Sequence, residues 1–405
     1  MRHFSPQSGL QRQAEIPHHM NDSRILILMS DTGGGHRASA QALQAAFAAR
    51  YPGRLQVEIV DLWTDYTPWP INRMPRLYGP IVARGLWFWK LLWAVFENER
   101  AFSAALRLVY LISRNELRKV LQAHRPHLII SVHPFMQHIV LRLLEQEGAA
   151  VPFMTVVTDL ASFHHGWFHA RAVRCFVASE PAAAAARRHD LDAGQVRLLG
   201  LPVRAPFAGA LPEKETARAR LGLADTAFTV LLLGGGEGMG PVAATAHAVA
   251  RLLAETGTAA QLVVICGRNK RLRQSLQRSD WPIPVQVCGF VDNVQEWMVA
   301  SDCVITKAGP GTIAEALICG LPILFSGFIP GQEEGNVAYV VDNGVGAYCD
   351  SPDGIAAIVN DWAGGSQLAQ MSARARELGL PRAAYDIVDE IVEFMDGECA
   401  DTTDS

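Results

Sequence analysis

The chain contains no Cys-x-x-Cys pair, and its seven cysteines are scattered and odd in number. That argues against a disulfide framework or a zinc site and for a reducing cytosol. No apolar run reaches the length of a membrane-spanning helix, and the N-terminus carries no apolar signal-peptide core. No Gly-Lys-Ser/Thr follows any glycine turn, which excludes a Walker-type phosphate loop. Internal repeats are missing as well, beyond two sheets of one architecture. Charge is modest, at 19% of residues against 49% hydrophobic, as in a globular protein with a slightly greasy surface.

What charge there is lies unevenly. Residues 1–200 hold 22 Lys+Arg against 15 Asp+Glu, and residues 201–405 hold 14 against 25. Twelve of the thirteen histidines are also in the first half. A basic front half on an acidic chain implies an anionic partner for that half alone, a membrane surface or a polyanion. At 405 residues two domains are expected, each able to bury its own core. Residues 1–22 read as a disordered polar tail and 23–204 as the first domain. Prolines 202, 206 and 212 mark a linker over 202–215, and 205–378 forms the second domain. A last helix near 382–396 is expected to pack back near the join, followed by a disordered acidic end.

Strand and helix patterns alternate, which predicts an α/β chain with parallel sheets. Strands are expected at 24–29, 55–60, 128–132, 153–157 and 173–178, then at 229–233, 262–266, 285–288, 303–306 and 323–325. Three strand-to-helix turns are rich in glycine. The first, Asp31-Thr32-Gly33-Gly34-Gly35-His36-Arg37-Ala38, satisfies Gly-x-Gly-x-x-Ala, with Asp61 where a dinucleotide enzyme holds a ribose. Many α/β proteins meet that fingerprint by chance. His36 sits at the helix start, where positive potential favours the neutral imidazole that a general base needs. Equally, it fits a histidine that merely caps or packs the turn.

The second turn, residues 234–240, has five glycines in seven positions, more than an ordinary connection uses. It fits close backbone approach to a ligand, or else a flexible loop. The third, Lys307-Ala308-Gly309-Pro310-Gly311-Thr312, opens a helix whose first N–H groups suit a phosphate. Thr312 and Glu315 there also match a capping box, so Glu315 is either a cap or a ribose ligand. About twenty residues on, Gln332 and Glu333 follow a short strand and suit a polyhydroxylated group. A diphosphate at one turn and a sugar at the next describe a nucleotide-sugar. Arg268 ends a strand and is placed to face the same crevice or to solvate its rim.

Residues 62–119 interrupt the alternation with five of the nine tryptophans (Trp63, Trp69, Trp87, Trp89 and Trp93) and nine Lys+Arg against four Asp+Glu. The stretch around 85–93 is too short to span a bilayer but suited to its interface, with Trp at headgroup depth and Arg on anionic phosphates. A buried core helix or a homodimer contact fits the same residues. Stacking on nucleic acid does not suit the acidic second half.

Taken in order, these segments resemble monogalactosyldiacylglycerol synthases and the related processive diacylglycerol glucosyltransferases, more distantly the UDP-GlcNAc transferases that form lipid II. The resemblance is carried by residues 29–40, Asp61-Leu62-Trp63-Thr64-Asp65, Thr67-Pro68-Trp69-Pro70, Val157-Thr158-Asp159-Leu160 and Trp167-Phe168-His169. It continues through Gly200-Leu201-Pro202-Val203-Arg204, Cys266-Gly267-Arg268-Asn269-Lys270, Gly289-Phe290-Val291, the Gly309 turn and Gly331-Gln332-Glu333. It implies a GT-B fold, two Rossmann-like domains facing a cleft, with the acceptor on the first and the nucleotide-sugar on the second. No metal or other cofactor is implied.

On that resemblance His36 is the base, oriented by Asp31 or Asp159. Gly34 and Gly35 face the donor. The donor contacts are Gly235, Gly236, Glu237, Gly238 and Met239, then Arg268 and Asn269, with Phe290 and Val291 around the nucleobase. Lys307, Gly309, Pro310, Gly311 and Thr312 hold the diphosphate with help from Arg204, Glu315 the ribose, and Gln332, Glu333 and Asn336 the sugar. Trp69, Pro70, Trp87, Trp89, Trp93 and Trp167 serve the acceptor and the lipid. The implied reaction is galactose transfer from UDP-galactose to diacylglycerol at the cytoplasmic face of a membrane, by a peripheral enzyme responsive to anionic lipid such as phosphatidic acid or phosphatidylglycerol. A UDP-glucose enzyme adding one sugar or several, a membrane-bound UDP-sugar sensor without turnover, and a soluble NAD-dependent enzyme are the competing readings.

Overall fold

The computed structural model describes residues 23–32, 34–234 and 241–403. The expected tail at 1–22 lies outside them. Twelve strands form two parallel sheets: β1 (Ser23–Met29), β2 (Leu55–Asp61), β3 (Leu128–Ser131), β4 (Phe153–Val156), β5 (Arg174–Val177) and β6 (Val196–Leu198), then β7 (Phe228–Leu233), β8 (Ala260–Ile265), β9 (Val285–Cys288), β10 (Cys303–Lys307), β11 (Ile323–Gly327) and β12 (Gly346–Tyr348). The first sheet runs β2-β1-β3-β4-β5-β6 and the second β12-β11-β10-β7-β8-β9. Each order reverses once, at β1/β3 and at β7/β10. Ligands of open α/β sheets bind at such a reversal, beyond the carboxyl ends of the strands.

Both faces of each sheet are covered, which is why the strands read as nearly unbroken apolar runs. Alternate residues of β1 feed different cores. Ile25, Ile27 and Met29 pack with Leu43 and Phe47 of the Gly35–Arg50 helix, whereas Leu26 and Leu28 pack with Trp63, Phe102 and Tyr110. In the second sheet Leu231, Val263 and Val304 join Ile313, Leu317 and Trp297, while Val230, Leu262 and Ile305 join Val249, Leu253 and Trp362.

The last helix, Ala383–Thr403, continues past the expected stop at 396. It leaves the second half and buries Ile387, Val388 and Ile391 against the first sheet. Arg50 and Tyr51 pair there with Asp389, and Arg54 with Asp396.

Residues 62–119 form the connection from β2 to β3. Its main helices are Met74–Arg84, Leu86–Glu97 and Glu99–His124. Asn98 caps the long one by accepting from the N–H groups of Arg100 and Ala101. That helix buries Phe102, Leu106, Tyr110, Leu117 and Val120 at helical spacing. The two shorter helices stand over the gap between the sheets and reach the second half.

Candidate active site

The loops after β1 and β4 build one wall of the cleft. Gly34 takes φ 81° and starts the Gly35–Arg50 helix with no side-chain cap, leaving its first N–H groups available. His36, on the first turn, has Nδ1 2.9 Å from the Thr158 hydroxyl. Its ring lies 4.8 Å from that of His133 and 6.0 Å from that of Trp167. Burial lowers its pKa from 6.5 to about 4, against an upward pull from a hydrogen bond to the Val132 backbone. His36 is therefore neutral at pH 7 and able to take a proton.

Neither expected carboxylate is hydrogen-bonded to that imidazole. Asp31 is exposed and pairs with Arg37 Nε at 3.2 Å. Asp159 is buried and accepts from the Trp167 indole at 2.6 Å. Burial raises the Asp159 pKa from 3.8 to about 7; the indole bond pulls it down and the Glu333 charge pushes it up. Thr158, the neighbour of Asp159, is the side chain that touches the imidazole. Asp61 is also committed: it accepts from the backbone N–H and hydroxyl of Thr64 and from Asp31 N–H. That leaves the dinucleotide fingerprint without its ribose carboxylate.

The facing wall comes from β10 and β11. Gly309 precedes the Pro310–Ile318 helix, again with no side-chain cap. Pro310, Gly311 and Thr312 are its first three residues, so the Thr312–Glu315 capping box does not form. The Glu315 carboxylate instead accepts from Arg204 Nε at 3.1 Å and Nη2 at 2.9 Å. Burial raises its pKa and Arg204 opposes the rise. Here the expected ribose ligand and phosphate ligand hold each other.

Two of the expected sugar ligands are occupied by the fold. Glu333 is buried between Lys307 Nζ, 2.5 Å from Oε1, and the Ile329 N–H, 3.0 Å from Oε2. Asn336 is buried too, accepting from Ala161 N–H and donating to Ala308 O, both at 2.9 Å. It staples the two halves, beside a bond from Gly335 N–H to Ser162 Oγ at 2.6 Å. Both groups thus shape the loop. Gln332 accepts a hydrogen bond from Tyr78 across the cleft, 2.7 Å away.

Among the remaining residues expected at the donor, Arg268 stacks on Phe290 with 5.4 Å from guanidinium to ring centroid, and Phe290 is exposed. Val291 packs on the core. Asn269 caps the Lys270–Gln277 helix by accepting from Leu272 N–H at 3.0 Å. The expected contacts Gly235, Gly236, Glu237, Gly238 and Met239 lie outside the described residues.

The six residues expected on the lipid side divide three ways. Trp69 and Trp87, 78% and 74% exposed, face outward, as does Pro70. Trp89 and Trp93 turn inward: the Trp89 indole donates to Pro330 O at 3.2 Å, and Trp93 covers Gly331. Trp167 is wholly buried, beneath His36 and Asp159, where it cannot meet a bilayer. Beside Trp87 the outer surface shows Met74, Leu77, Phe88, Leu91 and Val95. Among the described residues no helix is long and apolar enough to cross a membrane. Sequence reasoning missed Tyr78 altogether, since one tyrosine among five tryptophans carries no local signal.

Residues 36–203 match the family described as monogalactosyldiacylglycerol (MGDG) synthase, and residues 229–385 match the glycosyltransferase family 28 C-terminal domain. Monogalactosyldiacylglycerol synthase 1, chloroplastic, of Arabidopsis thaliana is 45% identical over 379 residues, 92% of this chain and 71% of that protein. The Spinacia oleracea synthase is 45% identical over 92% of this chain and 72% of its own length. Among solved structures, Acinetobacter baumannii MurG superposes with a TM-score of 0.63 at 15% identity, covering 92% of this chain and 99% of its own. The glycosyltransferase VinC in complex with dTDP gives 0.57 at 14%, covering 92% and 99%. The architecture is GT-B, two Rossmann-like domains around a cleft.

Proposed function

The chain belongs to the monogalactosyldiacylglycerol synthase family, and on that premise we propose that it moves galactose from UDP-galactose to the sn-3 hydroxyl of 1,2-diacylglycerol, forming monogalactosyldiacylglycerol. The observation that carries the reading is the segment 157–162. Thr158 holds His36 at one end, and Ala161 and Ser162 hold the loop of Gln332 and Glu333 at the other. A base and a sugar-reading loop are thereby fixed to one short piece of backbone.

In this reading His36 takes the proton of the acceptor hydroxyl as its oxygen bonds to the anomeric carbon. The bond from that carbon to the diphosphate oxygen breaks on the opposite face, and UDP departs with the electron pair. An α-linked donor then gives a β-linked product. The uncapped start of the Pro310–Ile318 helix stabilises the growing diphosphate charge. Arg204 joins it by leaving Glu315, which the ribose hydroxyls then engage.

We further place the enzyme as a peripheral protein on the cytoplasmic face of a membrane, docked through Trp69, Trp87, Phe88 and Leu91. The nine-to-four basic excess of residues 62–119 favours an anionic surface, phosphatidic acid or phosphatidylglycerol. Expression in a host without glycolipids, followed by thin-layer analysis of its lipids, identifies the sugar and the number transferred. His36→Ala is expected to lower transfer about 10²–10⁴-fold with UDP affinity unchanged. Full activity in that variant refutes the assignment of the base.

A further inference from the structure

Three consecutive residues of the sugar loop are each gripped by a side chain from the opposite half. Trp89 Nε1 donates to Pro330 O at 3.2 Å. The Trp93 indole lies over Gly331, so close that a Cβ there would come within 2.6 Å of Nε1. The Tyr78 hydroxyl donates to Gln332 Oε1 at 2.7 Å. The three aromatic rings support one another, with Tyr78 edge-on to Trp89 at 5.4 Å and Trp89 tilted on Trp93 at 5.6 Å.

A carboxamide has an accepting end and a donating end of almost equal shape, and only its partners decide which end points where. With Oε1 engaged by Tyr78, the Gln332 amide nitrogen is the end left for a ligand. It has no hydrogen-bond partner among the described residues. We propose that Tyr78 is a positioning residue for the donor sugar, fixing Gln332 so that it presents N–H donors rather than its carbonyl to a hexose hydroxyl. The inference rests on the reading of Gln332 as a sugar ligand given above.

The geometry distinguishes this role from simple packing. Tyr78 is part-buried and burial raises its pKa, so the phenol keeps the O–H that Gln332 Oε1 accepts throughout the working pH range. An acceptor at that position would turn the amide around. Hexoses that differ at one carbinol centre present the same hydroxyl from different directions, so the two ends of one amide discriminate between them. The ring, by contrast, contributes through Trp89 whether or not it carries a hydroxyl.

Tyr78→Phe keeps the ring and removes the donor. Binding of UDP, UDP-galactose and UDP-glucose to the full-length protein is measured by calorimetry, and transfer from both donors to diacylglycerol in vesicles by steady-state kinetics. UDP affinity should stay within about twofold, while the preference between the two UDP-sugars, in binding and in kcat/KM, falls about tenfold, the worth of one neutral hydrogen bond. In a Gln332→Ala background Tyr78→Phe should change nothing further, since the effect passes through the amide. Unchanged sugar preference overturns the proposal, as does an equal loss for UDP and both UDP-sugars, which marks a merely structural role. Wild-type protein that binds UDP-sugars but transfers neither hexose defeats the transferase reading alone, and the binding comparison still judges Tyr78.

Discussion

Asp159→Asn should change how stability depends on pH, by an amount the site itself sets. The Asp159 carboxyl is buried against the Trp167 indole, and its pKa stands at about 7 instead of 3.8. The folded protein therefore holds this proton more tightly than the unfolded chain does. The stabilisation is complete below about pH 3.8 and is lost progressively until the pH passes about 7. At about 1.4 kcal/mol for each tenfold in affinity, the whole span amounts to about 4 kcal/mol, of which about 3 kcal/mol falls between pH 5 and 8. Asparagine cannot ionise, and its amide oxygen still accepts from Trp167. The stability of the variant relative to wild type should thus rise by about 3 kcal/mol from pH 5 to pH 8, whatever constant offset the new amide N–H groups bring. Urea unfolding of both proteins at four pH values across that range measures it. A gap that stays flat with pH refutes the reasoning, because it would mean that the carboxyl titrates alike folded and unfolded.

Two further expectations follow from the cleft. Asn336→Ala strands the Ala161 N–H and the Ala308 carbonyl, at about 1–3 kcal/mol each; hydrogen exchange should quicken around 158–163 and 306–310 while the cores of both sheets stay protected, and unchanged exchange there would show that the staple is idle. Trp87→Ala with Leu91→Ala removes two outward apolar side chains, each contributing roughly 1.5–3 kcal/mol when buried, so flotation with phosphatidylglycerol vesicles should fall at least tenfold. Trp89→Ala is the matched control, expected to leave flotation intact and weaken UDP-galactose binding, and the opposite pattern would reverse the assignment of faces.

Ten of the twelve strands were legible from their apolar runs and from the turn residues between them. The two missed, β6 and β12, are three-residue strands at sheet edges, too short to show a period. The turns before the helices at Gly35 and Pro310 were equally legible, the first because Gly34 takes the left-handed backbone that glycine allows, the second because Gly309-Pro310 marks a helix start in the local sequence. Less so were the partners of the polar side chains. Thr312 and Glu315 had the spacing of a capping box, yet Arg204 claimed the carboxylate from 111 positions away. Trp89 and Trp93 shared a hydrophobic stretch with Trp87, and only their neighbours in space separate the two that grip the loop at Pro330 and Gly331 from the one that faces out.

By itself, then, the order of residues determined the parallel α/β architecture, the turns that open two of the helices and the histidine placed at the first of them. Periodicity, turn chemistry and capping are properties of near neighbours, so they can be read along the chain. Folding decided which groups remain free to meet a ligand. Glu333 and Asn336 became parts of the frame, Thr158 took the place beside the imidazole, and Tyr78 came to rest on Gln332 from 254 residues away. Those outcomes depend on how two separately packed sheets meet, and a hydrogen bond across such a gap leaves no trace in the spacing of either partner.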